Sequence, residues 1–255
     1  MHPFFEYAIK YEKPNSGGSK TIKQLNIPWI YENKSGNPKF EKFVGRPKLS
    51  YSFYNSFLEE GYAGELFGTK FLGEEREGNV FTEYGSAVGE YLERRQQSEL
   101  LSDFDISVLE KENPADQTCL YEYEIVVDRG SYVIQGFIDK LKRVGKKSIV
   151  IDYKTGAIDK KAKEYANIKY QQTTLYAYSE DLEGQEVEYS GVVLFDRRGN
   201  VLEKESKNNL RLTGEIEHVP TPYTRERAEK FLEKFDKTAI EIEEYWRVFN
   251  KYFKH

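Results

Sequence analysis

The chain has 255 residues, 38% hydrophobic and 32% charged, with a formal net charge of -5, which fits a soluble globular protein with room for one sizeable core. The lone cysteine, Cys119, excludes a disulfide framework and any multi-cysteine metal centre, and its simplest setting is a reducing, intracellular one. Of the histidines His2, His218 and His255, two lie at chain ends, which argues against a histidine zinc site or a Ser-His-Asp triad, so any metal should be hard and held by oxygen.

The N-terminal stretch MHPFFEYAIKYEKPN carries charges throughout and no long apolar run. Neither a signal peptide nor a membrane span is expected, and cytoplasmic residence follows. Residues 1–48 read as a basic, irregular extension on or near the core, with a flexible loop at KPNSGGSK, 13–20. Residues 49–255 read as one domain. Its first element is a helix capped by Ser50 or Ser52, with Phe53, Tyr54, Phe57 and Leu58 on one face. A second helix is expected over 83–101, with Val88, Tyr91, Leu92 and Leu100 as its apolar positions.

Two β-rich runs, LYEYEIVV and YVIQGFIDKL, flank the short turn DRGS and predict a hairpin. SIVIDY, 148–153, predicts a buried strand, 160–181 a helix, and EVEYSGVVLF, 187–196, a further strand, with DRRGN as the turn into VLEKE. Thr224 caps a last helix running to about 250. Ala228, Phe231, Leu232, Phe235, Ala239, Ile242, Trp246 and Phe249 form a helical stripe on it, read as core or as a partner-binding face. The order predicts a mixed α/β domain built on a central sheet flanked by helices. Charge is uneven: residues 1–50 hold nine Lys/Arg against four Glu, and 140–163 nine Lys/Arg against two Asp. A basic face and a solvated lysine-rich loop are both open readings.

Residues 136–176 concentrate chemistry. Asp139 ends one apolar strand, and Asp152 and Lys154 end the next. Two positions apart on a strand, Asp152 and Lys154 share a face, and a neighbouring strand can bring Asp139 beside them. Gln172 and Tyr176, four apart on a helix, share a face too. Adjacent carboxylates repel unless a cation lies between them. With no His or Cys at hand, Mg²⁺ or Mn²⁺ is the natural occupant, able to activate water and polarise a phosphoryl oxygen. Lys154 could orient or help deprotonate that water, or offset transition-state charge.

These residues resemble the RecB-like branch of the PD-(D/E)xK nucleases. Gly136-Phe137-Ile138-Asp139 is similar to that family's Gly-x-x-Asp motif, Asp152-Tyr153-Lys154-Thr155-Gly156 to its (D/E)-x-K motif, and Gln172 with Tyr176 to its Gln-x-x-x-Tyr helix. LSYSFYNSFLEEGY more loosely resembles its N-terminal signature, so the likeness spans roughly 49–180. The resemblance implies a restriction-endonuclease-like core and a metal-dependent DNase. Asp139, Asp152 and the Tyr153 carbonyl would be metal ligands, Lys154 the catalytic lysine, and Gln172 and Tyr176 groups that orient the site or contact the DNA backbone. Glu122 or Glu124 could support it. DNA would be cut at ends or in single strands, for repair, recombination, phage replication or defence, with a helicase or other DNA-processing protein as a further partner. Two features depart from the pattern. Gly89 stands where many relatives place a histidine ligand, which leaves one metal in place of two, a substitute such as Glu93, or weakened activity. Cys119 alone cannot hold the iron–sulfur cluster of some relatives. The competing class is a catalytically inert or partner-dependent module that binds DNA or a protein.

Overall fold

The structure, a computed structural model, describes residues 25–60, 67–73, 79–166, 170–199 and 209–253. The loop expected at 13–20 and the run VLEKE lie outside them. The strands are β1 (Lys48–Ser50), β2 (Cys119–Asp128), β3 (Val133–Val144), β4 (Lys147–Gly156), β5 (Glu186–Arg198) and β6 (Arg211–Pro220). They form a mixed sheet ordered β1-β3-β4-β5-β6, with β2 paired to β3. The helices are α1 (Tyr51–Glu60), α2 (Val80–Arg94), α3 (Asp103–Glu112), α4 (Ile158–Tyr165), α5 (Gln172–Leu182) and α6 (Arg225–Phe253). This is the expected α/β class, with a central mixed sheet flanked by helices. None of the described helices is long and apolar enough to cross a membrane.

The chain divides into two compact units, one of residues 1–76, 126–136 and 230–255, the other of 77–125 and 137–229. In the first, β1 runs parallel to Val133–Gln135 of β3. The Ser50 hydroxyl accepts the Phe53 N–H at 3.2 Å, so Ser50 starts α1. Phe53, Tyr54 and Phe57 are buried as expected, whereas Leu58, in the last turn, is 53% exposed. The Tyr54 ring stacks on Phe235 at 4.5 Å, and Trp246 packs against Trp29 and Phe249. All eight residues of the α6 stripe are buried. That stripe is core rather than a docking face.

In the second unit, β3 and β4 pair antiparallel across a two-residue turn, where Gly145 takes φ +61. β5 lies between β4, parallel to it, and β6, antiparallel. Every residue from Ser190 to Asp196 is buried, as a central strand covered on both faces requires. Val193 and Phe195 face Tyr84, Val88 and Leu92 of α2 and Leu109 of α3. Val192 and Leu194 face Tyr165 of α4 on the other side.

Three expectations are corrected. The helix expected over 83–101 ends at Arg94, where Arg95 takes the left-handed conformation (φ 56) and caps it. A separate helix, α3, then starts with a capping box between Ser102 and Asp105. The helix expected over 160–181 is two, α4 and α5. Strand β6 was not foreseen.

Candidate active site

The registered pairs between β3 and β4 stop at Lys140 and Ile151. One residue further on, the Asp139 carboxylate accepts the Tyr153 N–H at 2.7 Å. A side chain thus takes over from the ladder, and the strands fork around it. β4 stays paired to β5 as far as Gly156, so its end remains rigid on that side. Period-two alternation then puts Asp152 and Lys154 on one face, while the Tyr153 ring joins the core beside Phe195.

Asp152 is fully buried. Its Oδ2 accepts from the Lys154 amine at 2.7 Å and from the Tyr170 hydroxyl at 3.0 Å. Its Oδ1 is buried and meets no donor among the described residues. The Tyr170 oxygen also lies 2.9 Å from Gln172 Oε1, and the Gln172 amide nitrogen donates to Tyr176 Oη at 2.6 Å. Gln172 and Tyr176 therefore reach Asp152 through Tyr170, a residue that sequence reasoning missed. Its signal was only its place two residues before Gln172. Helix α5 is held to β3 by Arg143, whose guanidinium donates to buried Glu180 at 2.8 and 2.6 Å.

Asp139 has two further acidic neighbours. Oxygens of Glu93, Glu122 and Asp139 lie within 4.8 Å of one another. Glu122, inside β2, takes φ +47, and a left-handed residue breaks a strand's alternation there. Glu124 is buried and lies outside this group. A Cβ at Gly89 would sit 3.5 Å from Glu93 Oε1, so a side chain at 89 would point into the space that Glu93 fills. Thr82, Gly85, Ser86, Gly89 and Glu93 put one face of α2 along a cleft of about 540 Å³, whose other wall includes Glu122, Asp139, Lys154 and Thr155.

The electrostatics follow from crowding. Burial, then the Asp152 charge, pushes the Asp139 carboxyl up to about 7, against the pull of Lys154 and the Tyr153 N–H. Burial, then Glu122 and Asp139, pushes Glu93 up to about 8. Burial works against the Lys154 cation, but Asp152 and Asp139 outweigh it and hold the amine above the ordinary lysine range. By contrast, much of the positive charge at 140–163 is spent in ion pairs. Lys142 meets Asp116, Arg143 meets Glu180 and Glu183, Lys147 meets Glu188, and Lys161 meets Glu164.

Residues 58–252 match the family model of the PD-(D/E)XK nuclease superfamily. The chain belongs to the PD-(D/E)XK nuclease superfamily. Its function is accordingly of nuclease type, a hydrolase acting on nucleic acid. Among solved structures it is similar to a protein of Eubacterium rectale that bears an exonuclease name, at 14% identity and TM-score 0.43, over 80% of this chain and 82% of that one. It is also similar to the protein SSO0001, at 16% identity and TM-score 0.29, over 75% of this chain and 84% of that one. A comparison with curated proteins gave no match.

Nucleases of this superfamily use divalent metals, and the residues present fit such an ion. A buried Asp152 Oδ1 beside an overcrowded Asp139 offers lone pairs that no hydrogen of the described residues satisfies. Every donor atom at hand is an oxygen, which suits a hard cation.

Proposed function

We propose that this PD-(D/E)XK nuclease is a DNA nuclease dependent on Mg²⁺ or Mn²⁺, of the RecB-like branch, acting on DNA ends or single strands. The observation that carries this reading is the crowding of Glu93, Glu122 and Asp139 within 4.8 Å, next to a lysine bonded to Asp152. Asp139, Asp152 and the Tyr153 carbonyl would hold the cation, with Glu93 and Glu122 extending the set. When bound, such an ion polarises a phosphodiester oxygen and lowers the pKa of coordinated water.

The chain's own groups do the rest. Lys154 keeps its charge between two carboxylates while 30% of its side chain stays exposed on the cleft. From there it serves as a cationic donor that orients the attacking water and offsets charge growing on the phosphate. Asp152 fixes that amine, and the Asp139–Tyr153 bond fixes Asp139. Gln172 and Tyr176 orient Asp152 from α5. The inert-module reading leaned on Gly89, and Glu93 in the neighbouring space weakens it. A role in repair, recombination, phage replication or defence, with a helicase as a further partner and 49–255 as the nuclease domain, rests on the resemblance to the RecB-like branch alone.

The test is incubation with linear, circular and single-stranded DNA and with an RNA oligonucleotide, in Mg²⁺, Mn²⁺ or EDTA, beside Lys154→Ala. We expect cleavage of DNA that stops in EDTA and in the variant. Cleavage indifferent to both overturns the assignment. Cutting of circular DNA would replace end-directed action with endonuclease action.

A further inference from the structure

We infer that Tyr170 is a positioning residue for the reaction, the link through which Gln172 and Tyr176 set the orientation of the Asp152 carboxylate; this rests on the proposed nuclease reading of the same site. The Tyr170 hydroxyl has one proton, and two acceptors among the described residues lie in reach, Asp152 Oδ2 at 3.0 Å and Gln172 Oε1 at 2.9 Å. A charged carboxylate is the stronger acceptor, so the proton goes to Asp152. Turning the Gln172 amide over then lets its NH₂ donate to Tyr170 and its carbonyl accept from Tyr176, at the same two contact positions. Each hydroxyl proton now has one acceptor, and the chain runs in one sense from Tyr176 through Gln172 and Tyr170 to Asp152.

The consequence falls on the second carboxylate oxygen. Oδ2 is held from two sides, by Lys154 and Tyr170, so Oδ1 is the oxygen left without a donor among the described residues. Lys154 cannot fix that choice alone, because its amine sits on a long flexible stem. Tyr170 can. Its ring packs against the Tyr165, Val192, Leu194 and Val219 cluster and meets Tyr165 edge-on at 5.0 Å. A rigid ring anchored in that cluster therefore selects which lone pairs face the cation, and α5 holds the far end of the chain.

Tyr170→Phe keeps the ring and removes the link. Mn²⁺ affinity is read by electron paramagnetic resonance of the free ion, without substrate, and kcat and KM are read on a single-stranded oligonucleotide. The expected result is Mn²⁺ binding weaker by about 10-fold, a similar fall in kcat, and an unchanged KM. Gln172→Met, one link further out, should give a smaller loss of the same kind, and adding it to Tyr170→Phe should cost nothing more. It also carries the test if Tyr170→Phe does not fold. Wild-type Mn²⁺ affinity in the variants, or losses that multiply in the double variant, overturn the inference. Mn²⁺ binding by the wild type without cleavage of any nucleic acid sinks the nuclease reading, while the affinity comparison still judges Tyr170. No Mn²⁺ binding by the wild type overturns both.

Discussion

Replacing Glu93 with glutamine keeps the side chain's length and removes one of three carboxyl groups whose oxygens lie within 4.8 Å of one another, and so one of three negative charges once pH exceeds about 8. Two unit charges at that distance repel by about 1 kcal/mol in water-like surroundings and about 3.5 kcal/mol at an effective dielectric of about 20. Glu93 faces two such charges, but it is only partly buried, and screening and proton uptake remove much of the repulsion, leaving about 2 kcal/mol. For a chain of this length that is a rise in Tm of about 4–8 °C. The pH dependence has a definite sign. Burial, then Glu122 and Asp139, holds the Glu93 carboxyl up to about 8. The stability tied to its protonated form is complete below the ordinary glutamate pKa and is lost as pH rises through about 8. In EDTA, then, Glu93→Gln should match wild type near pH 4, at about the model-peptide glutamate value, and melt higher above pH 8. In Mn²⁺ the ranking should narrow or reverse, because the wild type gains more from a cation. Scanning fluorimetry over pH, with and without Mn²⁺, reads both effects. A variant that melts at or below wild type in EDTA above pH 8 would refute the claim that these carboxylates strain against each other.

Arg143→Ala should cost about 3–5 kcal/mol, because it leaves Glu180, 1% exposed, as a buried charge with its main partner removed; a urea midpoint showing less than about 1 kcal/mol would count against that anchor for α5. Phe235→Ala should cost about 3–5 kcal/mol, since Phe235 is fully buried and stacked on Tyr54, and equilibrium denaturation measures it. Arg225, against burial and with help from Tyr223, holds the Asp181 carboxyl below its usual range. Its contribution is present above the ordinary aspartate pKa and fades as pH falls through the depressed value. Asp181→Asn should therefore flatten the acid limb of stability below about pH 4, and an unchanged limb in acid titration by circular dichroism would contradict the pairing.

The elements that could be read from the chain are those whose local pattern and tertiary role agree. The hairpin around Gly130, strand β4 with its paired Asp152 and Lys154, and the stripe on α6 all announce themselves by period. Helix α3 did not, because it buries only Leu109 and Asp105 while Phe104 is 53% exposed, and its start is a polar capping box. Strand β6 did not, because only Leu212 and Val219 of its ten residues are buried along one edge of β5, too few to show alternation. In the site, Asp139, Asp152 and Lys154 come together as strand alternation requires. That Glu122 and not Glu124 groups with Glu93 and Asp139 goes with a left-handed residue within β2, which alternation cannot foresee. Tyr170 was invisible for a similar reason: it precedes its helix, and only the folded chain brings its hydroxyl to Asp152.

The space shared by positions 89 and 93 has an evolutionary corollary. A Cβ at 89 would touch Glu93 Oε1 at ordinary contact distance, so a long side chain at 89 and the Glu93 carboxylate compete for the same side of the cleft, and the flexible Glu93 must swing to admit both. They should drift as a pair: lineages that place a ligand at 89 should shorten 93, and lineages with glycine at 89 should keep an acid at 93. Swapping both at once, Gly89→His with Glu93→Ala, would carry this protein along that path in one step, whereas Glu93→Ala alone would leave the site short of a ligand.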